Sequence, residues 1–295
     1  MSLESFANSK VGIGTALGIS RAMPPSVATP FIRFVTRRLT ADPSRSLVRS
    51  SRLNQWMVSG RRLTGEALDT AVRENIEMAG RFLYDLYHMR DGSEAILQRV
   101  HADETFQRLA RDDHGRGCIY AACHTGNFDL VGQALGHAGL SAQVLSVADP
   151  NSGYRMQNEQ RERAGFEVTP VSIQALKRAT RRLEEGGVVI TGLDRPLPEA
   201  PAEAWPRFFG ARARLPLMHV RLAMRTGASI IVIAPMLRPD GLYALRGSGH
   251  IEMEGTDQLA NAERVLAVAE EFIGAAPSQW IMPHEVWPGT CVPGD

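Results

Sequence analysis

From residue 118 onward, short, mainly apolar runs alternate with longer stretches in which apolar residues recur every three or four positions. The runs Cys118–Cys123, Gln143–Val147, Glu167–Val171, Val188–Leu193 and Ser229–Leu237 have the length of strands buried on both faces. Between them, 127–138, 152–164, 173–185, 216–226 and 257–274 carry helical periodicity and are bounded by Gly, Pro or Asp. Buried strands alternating with helices predict an α/β fold, a mixed and mainly parallel central sheet flanked by helices. Leu242–Leu245 and His250–Met253 are predicted to add an antiparallel edge.

The first ninety residues have no such runs and read as helix. The pattern predicts helices over 44–59, from an N-cap at Thr64 through Tyr87, and from Ser93 to about Arg111, with 112–117 as a loop. The organisation expected is an N-terminal helical layer over 1–90 and an α/β core over 91–295, in one globular body. The stretch 11–40 mixes Phe31, Ile32, Phe34 and Val35 with Arg33, Arg37 and Arg38. A helix lying on a membrane has that composition, and so, more often, does a surface helix packed on a core.

Composition narrows the classes. A hydrophobic share of 44% against 22% charged residues excludes disorder. A net charge of +1 gives no global attraction for nucleic acid. The longest early apolar run, Val11–Ile19, falls well short of the ~20 residues that span a bilayer. With Glu4 before it and Arg21 and Pro24–Pro25 after it, that run is not read as a cleaved signal. Cys118, Cys123 and Cys291 form neither a disulfide framework nor a metal-ligand spacing. Reduced thiols, no metal and a cytosolic setting are therefore expected.

The candidate chemistry sits where the first core strand ends. Cys118–Cys123 runs into His124-Thr125-Gly126-Asn127-Phe128-Asp129, followed by a helix. Ligands in α/β sheets collect at the carboxyl ends of strands, beside the free N–H groups of the next helix. A carboxylate on one imidazole nitrogen fixes the tautomer and leaves the other nitrogen to take a proton. Asp129, in the first helical turn, is expected to fold back onto His124 for this purpose. The bland alternative, a structural histidine with Asp129 as a helix N-terminal charge, has about equal weight before strand-end placement favours function. Alternation in the strand turns Cys123 to the opposite face, so direct attack by an acceptor hydroxyl is expected, without an acyl-enzyme.

The segment 124–129 resembles the histidine-four-residues-acid motif of glycerolipid acyltransferases. In its His-x-Gly-Asn-aromatic-acid form it resembles the bacterial lipid A lauroyl/myristoyl acyltransferase family, which includes the mycobacterial phosphatidylinositol mannoside acyltransferases. Further segments match in order: Arg52-Leu53-Asn54-Gln55 with Gly60, Arg163-Ala164-Gly165, Asp194-Arg195, Phe208-Phe209-Gly210 before Pro216, Thr226-Gly227-Ala228 and Pro277-Ser278-Gln279-Trp280. The resemblance spans about 45–288. Asp129 in place of Glu and Phe128 in place of Trp bring the chain nearer the mannoside branch, and the missing spanning helix argues against a lipid A acceptor and an integral-membrane location.

The resemblance implies an O-acyltransferase that moves a fatty acyl group from acyl-CoA or acyl carrier protein to a hydroxyl of a lipid or glycolipid. His124 and Asp129 are the catalytic pair, with Gly126, Asn127, Arg163, Asp194 and Arg195 at the substrates. No cofactor is implied beyond the thioester co-substrate. The location implied is cytoplasmic, peripheral on the inner face of the cell membrane. Glu199 or Glu203 corresponds to a further acidic residue. Phe208-Phe209 lines an acyl tunnel or belongs to the core, and Lys177, Arg178, Arg181 and Arg182 form a basic helix face. His88, His219 and His284 lack an acidic partner at a strand end and are read as structural. The rival readings are an acyl-thioester hydrolase and a non-catalytic lipid-binding protein.

Overall fold

The apolar runs become strands within a residue or two of their predicted limits. They are β1 (Cys118–Ala122), β2 (Ala142–Ser146), β3 (Glu167–Pro170), β4 (Val188–Gly192), β7 (Ser229–Leu237) and β8 (Tyr243–Gly247), with β5 (Arg207–Phe208) and β6 (Ala211–Arg212) forming a small separate hairpin. The computed structural model describes residues 23–88, 93–111, 115–150, 152–197 and 201–292; the run Val11–Ile19 and Glu199 lie outside them. The central sheet has the order β3-β2-β4-β1-β7-β8. Its strands pair in parallel except for the antiparallel edge β7–β8. The fold is thus the mixed, mainly parallel α/β sheet expected. The segment His250–Met253 does not extend it. Only Ile251 bridges Ile230, and beyond it the N–H of Glu254 bonds to the Asn261 side chain, which draws the chain out of the sheet.

The helices are α1 (Pro25–Thr40), α2 (Ser46–Val58), α3 (Gly65–His88), α4 (Ser93–Gln98), α5 (Glu104–Leu109), α6 (Phe128–His137), α7 (Ser152–Arg163), α8 (Ile173–Glu184), α9 (Met218–Thr226) and α10 (Gln258–Ala275). The single helix expected over 93–111 is two. Val100 leaves helical geometry to bridge Tyr243, and the Asp103 side chain then caps α5 by accepting from the N–H of Phe106.

Alternation along the strands feeds two cores. Ile119, Ala121, Val189, Ile230 and Val232 pack on one face of the sheet, with Trp56 and Met57 of α2 and Leu68, Val72 and Ile76 of α3. Tyr120, Val188, Ile231 and Ile233 pack on the other face against Leu130, Val131, Ala134 and Leu135 of α6. The N-terminal helices therefore share a hydrophobic core with the sheet. Each such Leu or Ile contributes about 1.5–3 kcal/mol of burial.

Polar side chains from α2 and α3 fix the C-terminal segment beside the strand ends. Asn54 Nδ2 donates to the carbonyls of Met282 and His284 at 2.9 and 3.0 Å, and Gln55 donates to that of Pro277. Asn75 Nδ2 donates to the carbonyls of Ser278 and Trp280, while its Oδ1 accepts from Ser51 Oγ. Phe208 is fully buried and stacks on Trp287 at 5.7 Å, beside Trp280. It belongs to the core.

Candidate active site

The register of the sheet places the key groups. Ala122 of β1 lies opposite Gly192 of β4, so the residues two further along each strand, His124 and Asp194, come side by side above the strand ends. Asp194 Oδ1 lies 2.5 Å from His124 Nδ1, and Asp194 Oδ2 accepts from the backbone N–H of His124 at 2.8 Å. Oδ2 also accepts from Trp280 Nε1 at 2.8 Å. A carboxylate is an acceptor only, so Nδ1 carries the proton and Nε2 presents a lone pair. Asp194 has no solvent exposure, and these three donors satisfy a charge that burial alone would make costly.

Two glycines admit this arrangement. A Cβ at Gly192 would lie 2.8 Å from His124 Cε1, so the imidazole occupies the space a side chain would fill. Gly126 has φ +53° and would press a Cβ to 2.6 Å from the carbonyl oxygen of Pro235. The turn is pinned by hydrogen bonds from Gly126 N–H to the Gln279 carbonyl and from Ile281 N–H to the His124 carbonyl. Asn127 caps α6 by accepting from the N–H of Leu130, and its Nδ2 donates to the Phe82 carbonyl. Phe128 sets its ring edge-on to His124 at 4.8 Å between centroids.

Asp129 does not take the expected place. Its Oδ1 accepts from Arg161 Nε at 2.9 Å and Nη2 at 2.5 Å, and the pair is almost wholly buried. Arg161 Nη1 in turn donates to Asn158 Oδ1. Because α6 starts at Phe128, the helix directs Asp129 toward α7; among the described residues, the carboxylate in contact with the His124 ring is Asp194. Asp194 was expected at the substrates, and it instead stands behind the histidine.

The arginine is also displaced by two positions. Arg163 is exposed at the end of α7 and does not line the cavity, whereas Arg161 does. Two residues further along a helix is more than half a turn, which points the side chain away. Arg195 lines the cavity, half-buried, with its guanidinium over the Tyr154 ring at 4.8 Å and bonded to the Tyr154 hydroxyl. Burial lowers its pKa. Glu203 is exposed on a short 3₁₀ turn. Arg178 and Arg182 of the basic face pair with Glu167 at 3.1 and 3.4 Å.

The groups surround a cavity of about 1270 Å³, with a smaller lobe of about 180 Å³ that also borders His124, Phe128, Asp129 and Arg195. One arm is apolar and runs along α6 against Val144, Ile190 and Ile233 of the sheet. Another side carries Arg49, Ser50, Arg214 and His219. Sequence reasoning left His284 and His219 structural, yet both border the cavity. The pKa of His284 is lowered, first by burial and then by the charges of Arg195 and His124. His219 is buried with neither ring nitrogen hydrogen-bonded among the described residues, and burial lowers its pKa to about 4. Cys123 is buried, and its thiol pKa is raised by burial and by the charge of Asp194, so it does not serve as a nucleophile near neutral pH. A histidine with a fixed tautomer and a free Nε2, flanked by an apolar channel and cationic groups, can activate a hydroxyl beside an apolar, anionic ligand.

The sequence profile of the family described as bacterial lipid A biosynthesis acyltransferase matches residues 10–288. The chain is 29% identical over 232 residues to the phosphatidylinositol mannoside acyltransferase of Mycolicibacterium smegmatis (strain ATCC 700084 / mc(2)155), covering 74% of this chain and 73% of that protein. It is 27% identical over 230 residues to the protein of the same name from Mycobacterium tuberculosis (strain ATCC 25618 / H37Rv), covering 74% and 71%.

Proposed function

Since this chain belongs to the bacterial lipid A biosynthesis acyltransferase family and is an acyltransferase, we propose that it transfers a fatty acyl group from a thioester to a hydroxyl of a lipid or glycolipid, with His124 as general base. The observation that carries this reading is the Asp194–His124 hydrogen bond, which leaves Nε2 free on a histidine that lines a cavity with both apolar and cationic walls. The names of the relatives favour a phosphatidylinositol mannoside as acceptor.

In the proposed step the acceptor O–H gives its proton to His124 Nε2 as its oxygen attacks the thioester carbonyl carbon. Asp194 stabilises the resulting imidazolium. Arg195 and the free N–H groups of the first turn of α6 balance charge on the carbonyl oxygen. When the tetrahedral intermediate collapses, the C–S bond breaks and the imidazolium returns its proton to the leaving sulfur. The products are one ester and one thiol, with no acyl-enzyme. Asp129 and Arg161 act on the substrate side, as a buried pair that shapes the cavity wall beside the histidine. Either acyl-CoA or acyl carrier protein supplies the thioester.

The enzyme works at a membrane surface in this reading. Val27, Phe31, Phe34 and Val35 of α1 and Leu83 of α3 are exposed, with Arg37 and Arg38 in the last turn of α1. No helix among the described residues is long and apolar enough to cross a membrane. With a cytosolic thioester donor, the surface is the inner face of the cell membrane.

Purified protein supplied with acyl-CoA, with and without a phosphatidylinositol mannoside, tests the reading through thiol release and ester formation. Ester and thiol formed in equal amounts only with the acceptor is the expected result. Acceptor-independent release of fatty acid marks a hydrolase, and binding without turnover marks a lipid-binding protein.

A further inference from the structure

A glycine in a helix interior costs about 0.5–1 kcal/mol relative to alanine, so each one needs a reason. On α6 the reason at Gly136 is visible: a Cβ there would come 2.3 Å from the carbonyl oxygen of Ala164. Gly132, one turn earlier, has no such neighbour. A Cβ added to it meets no heavy atom within 4 Å, and its backbone is ordinary right-handed helix. Neither packing nor conformation asks for glycine at this position.

The open space is the cavity. Gly132 lines its apolar arm together with Leu135 of the same helix and with Val144, Phe166 and Ile190 across from it. Positions 128, 132 and 135 fall on one helical face. Phe128 sits against the His124 ring, which puts Gly132, four residues on, about 6 Å further from the reacting centre along the helix axis. Val131, Leu135 and Phe166 are themselves buried and Gly132 and Ile190 partly so, which gives the arm walls that are apolar and largely withdrawn from solvent. A flexible unbranched hydrocarbon is the ligand such a channel fits.

We infer that Gly132 is a specificity-determining residue: the absence of a side chain there keeps the channel open beyond the first turn of α6, and the volume at 132 limits the length of the acyl chain. This rests on the acyl-transfer reading above and adds to it the wall that measures the donor.

The test uses the full chain with Gly132 intact, Gly132→Ala and Gly132→Leu, and saturated acyl-CoAs graded from octanoyl to stearoyl. Two readouts are taken for each length: kcat/KM for ester formation, and direct binding without acceptor. Gly132→Leu should lower the long-to-short ratio on the order of tenfold or more in both. Gly132→Ala should shift it less, in the same direction, while raising the melting temperature because alanine favours the helix. If Gly132→Leu does not fold, the alanine variant decides alone. Folded variants with the wild-type length profile would overturn the inference, as would a lower melting temperature for Gly132→Ala, which would mean that packing requires the glycine. Wild-type protein that binds the chains but forms no ester contradicts the transfer reading, while its binding profile still judges Gly132. Failure to bind any of them contradicts both.

Discussion

Asp194 grips His124 at two points, with Oδ1 2.5 Å from the ring Nδ1 and Oδ2 2.8 Å from the backbone N–H. One carboxylate thus fixes both the tautomer and the position of the chain that carries the base. Asp194→Asn should lower kcat on the order of 10²- to 10⁴-fold with little change in KM, because the amide either offers a donor to Nδ1 or leaves the imidazolium unbalanced. Steady-state kinetics check this; a rise in KM alone would make Asp194 a binding residue.

The Asp129–Arg161 pair is nearly closed to solvent, with side-chain exposures of 5% and 14%. Removing one partner leaves the other charge buried without compensation, at a cost of about 3–5 kcal/mol. Asp129→Asn and Arg161→Met should each destabilise strongly, and the double variant by less than the sum. Urea unfolding of the four proteins gives the coupling; additive losses would mean that the two do not act as a pair.

His219 makes stability depend on pH. Burial lowers its pKa from 6.5 to about 4, so between those values the unfolded chain binds a proton that the folded chain refuses. Stability from this group is fully present above 6.5 and is lost as pH falls toward 4, by about 3 kcal/mol over the window. His219→Leu removes both ring nitrogens, which have no hydrogen-bond partner among the described residues, and should flatten that slope, as read by urea unfolding at stepped pH. An unchanged slope would assign the titration elsewhere.

Much of the architecture was legible because most of the strands are short apolar runs and the helices between them are bounded by Gly, Pro or Asp. The site was legible only in part. The motif around His124 is local, but its carboxylate partner lies seventy residues away, brought beside it because β1 and β4 are neighbours in register. Strand order is not written in any one segment, so Asp129, the nearest acid in sequence, was the natural candidate. Arg161 and Arg163 are alike in sequence, and the helical phase of α7 separates them. The N-terminal motif at 52–55 was recognisable, whereas its work of holding the backbone at 277–284 required the tertiary structure.

The exposed apolar residues of α1 give a direct test of membrane contact. Phe31→Ser with Phe34→Ser should lower co-sedimentation with anionic vesicles while leaving the fold intact, since both rings are about half exposed and α1 docks through Ala28 and Thr36. Binding should also weaken as salt rises, because each basic side chain near an anionic surface contributes ~1 kcal/mol that is screened. Equal sedimentation of variant and wild type would remove α1 from the membrane face.

The central claim is that His124 removes the acceptor proton, and the rate of ester formation by His124→Ala with acyl-CoA and a phosphatidylinositol mannoside tests it most directly. The variant should remain folded, because the ring is held at the cavity edge rather than in the core, and its kcat should fall on the order of 10²- to 10⁴-fold. Transfer within a few-fold of wild type by a folded His124→Ala would contradict the mechanism.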